Sequence, residues 1–423
     1  MIHTIPRVPG PALRRLTTTL YGYAFLSDLV LLYPLYVVFF ADTGLSVGQI
    51  SSLFVLWSAA GILFEVPSGA WADVVSRRLL LCLAPLVTAG GYALWVLLPS
   101  YPAFAVGFLL WGAGGALVSG ALEALVWTEL DRLGAADRYA RVLGRARTAG
   151  VLGVVLSGVL AGPVLAAGGY PAVGAASVLA CLLATTVAAR FPEHRAPAAA
   201  GTPAVASVVA ADDGDLGWWD TLRAGVAQVR TRPPVRSAVL LVAVVAADWG
   251  ALDEYTPLLA LDTGVGPRAV PLLLLLLWAG VTVGGLLAPM AERWGGRGYA
   301  ALLGLVGVAL AGGALLRHPA GFVLLAVAFG AAQLATVLAD ARLQARITGD
   351  SRATVTSLAG MATDLLIIGT YAGYGLLATV FGNAVAFAVT AVPYLVLALV
   401  LVLLRRTRRA VGTPVGVAAR SST

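Results

Sequence analysis

Acidic residues inside long apolar runs are the first feature of this sequence that could do chemistry. Asp28, Glu123, Asp248, Asp253, Glu254 and Asp364 fall within such runs, and Glu65, Asp340 and Glu129 stand nearer their ends. A charged side chain at the centre of a membrane span costs roughly 2.5 to 3.5 kcal/mol on insertion scales, so several in one chain point to use. No Arg falls at comparable depth, which predicts an anionic inner cavity. Asp28, about halfway along the first run, is the first candidate for a carboxyl that titrates or binds a cation. The alternative is a protonated Asp bonded to a neighbouring Ser or carbonyl. Asp248, Asp253 and Glu254 cluster in one later run, and Glu254 precedes Thr256-Pro257, where a broken helix would free carbonyls. Asp253 and Glu254 could equally be approaching the outer mouth, and Asp364 is similarly balanced. Glu123 divides between substrate cavity and structural partner of Arg145 or Arg147. Tyr21, Tyr23, Tyr33, Tyr36 and Trp57 could line a cavity for aromatic or cationic substrates, or face lipid.

These residues need spans to position them. The chain has 423 residues, 59% hydrophobic and 12% charged, with a mean hydropathy of +0.89. Soluble domains carry about 25% charged residues, so the composition identifies an integral membrane protein. Runs of about twenty apolar residues predict twelve spans, at 17–40, 48–71, 79–98, 103–127, 147–167, 172–190, 235–261, 269–290, 298–316, 320–340, 354–378 and 384–404. All 28 basic residues are Arg. With both termini in the cytoplasm, 26 of them fall on or near cytoplasmic segments and only Arg268 and Arg317 outside, as the positive-inside rule asks. That distribution also argues against a nucleic-acid partner. Arg7, Arg14 and Arg15 precede a long span with no small-residue cleavage site, so the N-terminus reads as mature. Cys82 and Cys181 lie inside apolar runs and His3, His194 and His318 are scattered, which predicts neither a disulfide framework nor a metal site. There is no phosphate-binding Gly-Lys-Ser/Thr loop and no nucleophile motif, so neither ATP coupling nor an enzyme is indicated, and no cofactor is expected.

The domain plan follows: 1–190 as an N-terminal bundle of six spans, 191–234 as a cytoplasmic linker, 235–404 as a C-terminal bundle of six, and 405–423 as a basic tail. Within the linker, Trp219, Leu222, Val226 and Val229 share one helical face, which predicts an interfacial amphipathic helix. The halves repeat. Asp28 precedes Asp42-Thr43-Gly44 by fourteen residues and Asp248 precedes Asp262-Thr263-Gly264 by fourteen, an offset of 220 in both cases. The correspondence suggests a pair of acids, Asp28 and Asp248, facing one cavity from the two halves.

Between the second and third spans lies Glu65-Val66-Pro67-Ser68-Gly69-Ala70-Trp71-Ala72-Asp73-Val74-Val75-Ser76-Arg77-Arg78, a tight charged hinge at a membrane surface, with a second copy around Glu292. This string resembles the loop signature of the major facilitator superfamily, with Val74 where that family usually carries Arg or Lys. The Glu-x-Pro-Ser-Gly before it resembles the variant of its drug and metabolite exporters. The resemblance covers the whole chain and implies an all-α membrane fold of twelve helices in two pseudo-repeated bundles, alternating access, and substrate binding near the midplane. It further implies that Glu65, Asp73, Arg77 and Arg78, with Glu129 or Asp131, form a cytoplasmic gate. Exposed pairs of this kind are worth about 0.2 to 1 kcal/mol each, weak enough to open in every cycle. The span-four Arg of antiporters is missing here, and Gly158 to Pro163 resembles their Gly-Pro element only loosely.

The expectation is a multi-pass protein of the inner cytoplasmic membrane, acting as a monomer on a small molecule among membrane lipids. It exports a lipophilic or cationic compound in exchange for protons. The alternative is a proton-independent facilitator or importer of a small metabolite. A membrane potential offers about 2.3 kcal/mol per charge per 100 mV, enough for a gradient of about fiftyfold.

Overall fold

The computed structural model describes residues 10–194, 218–347 and 352–411, and every regular element among them is helical. In chain order they are α1 (Gly10–Asp28), α2 (Tyr36–Asp42), α3 (Val47–Val74), α4 (Arg77–Leu97), α5 (Tyr101–Val118), α6 (Ala121–Arg132), α7 (Tyr139–Ala188), α8 (Trp218–Thr231), α9 (Pro233–Asp253), α10 (Thr256–Asp262), α11 (Val270–Leu286), α12 (Ala288–Ala291), α13 (Gly296–Leu315), α14 (Gly321–Gln344), α15 (Arg352–Phe381), α16 (Asn383–Val389) and α17 (Val392–Val411). Nine helical segments among the described residues are long and apolar enough to cross a membrane, and Val270–Leu286 is a shorter apolar one. Large apolar side chains such as Leu63, Leu152, Leu286 and Leu376 are exposed, as surfaces facing acyl chains must be.

Several expected spans are interrupted. The first stops at Asp28 and resumes at Tyr36, and the seventh stops at Asp253 and resumes at Thr256. The fourth breaks at Gly120, whose φ of +74° suits a residue without Cβ. The eighth and twelfth restart at Ala288-Pro289 and Val392-Pro393, with each proline in the first turn, where its missing N–H costs no hydrogen bond. Helix α7 takes in the expected fifth and sixth spans and is interrupted at Gly168 and Gly169, the latter with φ +64°. Ser157 and Ser177 lie on either side of that interruption and both bond the turn after α1. Twenty residues of straight helix would hold them about 30 Å apart, so α7 folds back on itself.

The chain forms two compact units. One comprises Met1–Arg223, Asp253–Leu275 and Ile367–Asn383, and the other Ala224–Leu252, Leu276–Leu366 and Ala384–Thr423. In the first, α1 packs along α7, α4 against α5 and α7, and α3 against α5. Leu16, Leu20, Tyr23, Val126, Leu130 and Phe191 form a buried core within it. In the second, α13 packs on α14 and α17.

Candidate functional site

The site is built on the interruption after α1. Seven residues, 29–35, leave the helix, and their polar backbone groups need partners because lipid supplies none. Tyr33 N–H donates to Val30 O (3.0 Å) and Tyr36 N–H to Leu32 O (2.7 Å). Two serines from α7 supply the rest: Ser157 Oγ donates to Val30 O at 2.6 Å, and Leu32 N–H donates to Ser177 Oγ at 2.9 Å. Both serines are buried. The approach of α7 is possible because Gly153 has no side chain; a Cβ there would lie 2.4 Å from Phe25 O and 3.2 Å from Leu29 N. Asp28 is the last residue of α1, and its carboxyl rests where a Gly150 Cβ would come within 2.2 Å of Oδ2. The residue expected halfway along a continuous span therefore stands at a helix end.

The restart of the helix places Tyr36 at the centre of an aromatic cluster. Its ring is 5.9 Å from Trp95, Phe108 and Trp111, 5.5 Å from Phe40, 6.2 Å from Phe54 and 6.3 Å from Tyr33. Its hydroxyl donates a hydrogen bond to Glu254 Oε2. Glu254 is 8% exposed and lies in the two-residue gap between α9 and α10, so the acid occupies a helix break as anticipated around Thr256-Pro257. Tyr255 fixes that gap. Its hydroxyl shares a hydrogen bond with the Ser51 hydroxyl (2.8 Å) and donates to Tyr371 O (3.3 Å), its ring stacks on Tyr374 at 3.7 Å, and Phe54 meets it edge-on at 5.3 Å. A carboxyl held by a phenol inside a ring of aromatic faces can exchange a proton, and can offset a cation, without breaking an ion pair.

The family pattern described as Major Facilitator Superfamily matches residues 19–366, most of the chain. The chain belongs to that superfamily. None of the curated proteins matches the sequence. Solved structures similar to it include the nucleoside transporter NupG (TM-score 0.73, 12% identity, 92% of this chain and 99% of that one) and a D-xylose-proton symporter (0.63, 17%, 92% and 96%). A bacterial homolog of the human lysosomal transporter Spinster is also similar (0.65, 15%, 94% and 97%). At these identities the likeness shows the fold. As a major facilitator protein the chain is a multi-pass membrane transporter of a small molecule and not an enzyme.

Glu123 is exposed in the first turn of α6, and Asp364 is half-buried in α15. Asp248 is half-buried in α9, beside Trp249, whose indole donates to Thr336 Oγ1 at 3.1 Å. Asp28 belongs to the first unit and Asp248 to the second. Among the residues expected to gate, the side chains of Glu65 and Asp73 lie outside the described residues. Arg77 donates from its guanidinium to Ala124 O (3.1 Å) and Thr128 Oγ1 (3.0 Å), and Arg78 and Asp131 are exposed. Glu129 is 1% exposed and accepts from His194 N–H (2.8 Å) and from Arg132 Nε (3.1 Å), pinning the chain after α7 to α6. Glu193 does likewise for α4, accepting from Ser76 Oγ (2.5 Å) and Arg77 N–H (2.8 Å).

Sequence reading missed Ser157, Ser177, Tyr255 and Ser51. Small hydroxyl residues in apolar runs usually bond their own helix, and Ser177 also donates to Val173 O at 2.8 Å, so the sequence held no sign of the second partner. Tyr36 is legible as an aromatic side chain, but its pairing with Glu254 spans 218 residues and leaves no local trace.

Proposed function

We propose that this protein is a proton-coupled secondary transporter that exports a lipophilic or cationic small molecule, with Glu254 as the carboxyl that exchanges proton for substrate. The pairing of Tyr36 with buried Glu254 carries the reading. A carboxyl bound by an arginine stays ionised through the cycle, whereas one bound by a phenol can be neutral or charged with the same neighbours in place. The ring faces and the ionised acid together attract a cation, and protonation removes the acid's share of that attraction. Proton entry can then expel the substrate, which is the requirement for antiport.

The architecture proposed with it has twelve spans in two six-span halves, 1–190 and 235–404, both termini cytoplasmic in the inner membrane, and the linker 191–234 between them. Helix α8 occupies part of that linker. Asp28, Glu123, Asp248 and Asp364 act with Glu254 along the substrate and proton path, and Glu65, Asp73, Arg77, Arg78, Glu129 and Asp131 gate the cytoplasmic side.

The test uses purified protein in liposomes under an imposed pH gradient, with proton movement followed as lipophilic cations and neutral antibiotics are added. Wild type gives substrate-triggered proton flux, Glu254→Gln loses it at least tenfold, and Asp28→Asn shows whether a second carboxyl takes part. Transport without proton flux, or an indifferent Glu254→Gln, overturns the mechanism in favour of a proton-independent facilitator or importer.

A further inference from the structure

We infer that the rings beside Tyr36 form a ligand face in their own right, in which Trp57 and Trp111 take a planar aromatic cation and the Tyr36 phenol links that ligand to Glu254. The inference rests on the reading of Glu254 as the exchanging carboxyl. Its own basis is the difference in exposure among the rings. Phe40, Phe54, Trp95 and Phe108 are completely buried, so they support the site without touching a ligand. Tyr33, Trp57 and Trp111 keep part of their surface.

The exposed rings have an order. Phe108, Trp111 and Trp57 form a triangle of rings: Phe108 is nearly parallel to Trp111 (6.0 Å, 14°), Trp111 is inclined at 25° to Trp57 (5.0 Å), and Trp57 at 38° to Phe108 (5.8 Å). Tyr33 meets Trp111 edge-on at 6.2 Å, and Trp111 meets Tyr36 at 90° and 5.9 Å. Three adjoining rings at modest mutual tilt, one of them fully buried, present a rigid aromatic face to which a further flat ring system adds by offset stacking. Indole is the aromatic side chain that binds cations best, so a positive charge on that ring system adds to the attraction. Glu254, nearly buried behind Tyr36, supplies the opposing charge at one remove. The ligand therefore need not reach the carboxyl to feel its protonation; Trp111 touches the ring whose hydroxyl the carboxyl holds. The other titratable groups within electrostatic reach are Asp253 on α9, Tyr33 before α2, Tyr255 before α10 and Tyr371 on α15.

The experiment is equilibrium dialysis of the full chain in detergent against ethidium, a planar aromatic cation, and tetrapropylammonium, a cation of the same charge without a ring face. Ethidium is expected to bind at least tenfold more tightly. Trp57→Ala weakens ethidium about tenfold, Trp57→Phe restores most of the loss, and tetrapropylammonium, which has only the attraction of its charge to the ring to lose, is weakened by less. Wild-type affinity for ethidium rises with pH as the carboxyl ionises. Glu254→Gln binds ethidium with an affinity that no longer follows pH in this way, and Tyr36→Phe, which unties the carboxyl from the ring that Trp111 meets, follows pH less steeply than wild type. Equal affinity for the two cations overturns the ligand face, and so does an unchanged Trp57→Ala. Should Trp57→Ala fail to fold, the wild-type ratio between the two cations decides alone. Ethidium binding as expected, with no proton flux in liposomes, leaves the face standing and removes the proton-coupling proposal.

Discussion

The two copies of the broken span solve one problem in different ways. At the repeat offset of 220, α1 and α2 correspond to α9 and α10, and Asp28 and Asp42 to Asp248 and Asp262. Both copies end in an Asp-Thr-Gly whose acid ties the tip to a later segment: Asp42 accepts from Tyr170 Oη at 2.5 Å, and Asp262 from Asn383 Nδ2 at 2.9 Å. Between these fixed points they diverge. The first copy leaves the helix for seven residues and the second for two, and Glu254 falls opposite Pro34. A wide break in the first copy turns Tyr36 into the cluster, and a narrow break in the second brings a carboxyl to it. The repeat thus supplies two similar frames, and the pairing of Tyr36 with Glu254 lies where they stop being similar.

The largest expected effect comes from the contact that makes the wide break possible. Gly153 of α7 corresponds at the same offset to Gly373 of α15, yet a Cβ on Gly153 would stand 2.4 Å from Phe25 O whereas one on Gly373 meets nothing within 4 Å. Gly153→Leu should destabilise the protein by about 3 kcal/mol or more, since a backbone carbonyl cannot swing aside. Gly373→Ala should be neutral or stabilising by up to about 1 kcal/mol, because alanine is the better helix residue. Thermal unfolding of the two variants in detergent checks the pair. A similar response from both would mean that the copies do not differ in the way the packing describes.

The serines come next. Ser157 and Ser177 fall opposite Leu377 and Leu397, so the second copy carries apolar residues where the first carries hydroxyls. The narrow break leaves only two residues outside the helix. Ser157→Ala or Ser177→Ala should cost about 1 to 3 kcal/mol, the cost of leaving Val30 O or Leu32 N–H buried without its partner. Leu377→Ser and Leu397→Ser gain no such partner and should not stabilise. A loss below about 0.5 kcal/mol for both serine variants, read from the same melts, would show that the turn holds itself through its own backbone bonds.

This comparison also marks what the sequence discloses and what it withholds. Apolar run length and the 220-residue repeat locate the helices and pair their acids, because span length and insertion cost act on local composition. The breaks are only partly legible. Pro257, Pro289 and Pro393 announce three of them, whereas residues 29–35 include Pro34 but depend on Ser157 and Ser177 more than a hundred residues away. The candidate acid was legible as a class and not as a choice. Glu254 differs from Asp28 or Glu123 through the phenol and rings assembled around it, which are contributed by α2, α3, α4, α5 and α15.

The smallest effect tests the same correspondence at the level of one backbone pair. Phe25 and Leu29 in the first copy match Val245 and Trp249 in the second. Phe25 O and Leu29 N are the atoms against which Gly153 packs. Their counterparts are bridged instead by a hydroxyl: Tyr394 Oη donates to Val245 O at 3.0 Å and accepts from Trp249 N–H at 3.2 Å. Tyr394 itself falls opposite Gly174, so one copy has close helix packing and the other an inserted phenol. A helix opened by a side chain can close again when the side chain is shortened, because the carbonyl of one residue and the N–H four later are natural partners. Tyr394→Phe should therefore cost less than about 1 kcal/mol, below Ser157→Ala, since the serine variants leave groups that have no alternative partner. A loss for Tyr394→Phe as large as that of the serine variants would mean that the phenol is a required part of α9, and that the second copy, like the first, depends on distant side chains to hold its backbone.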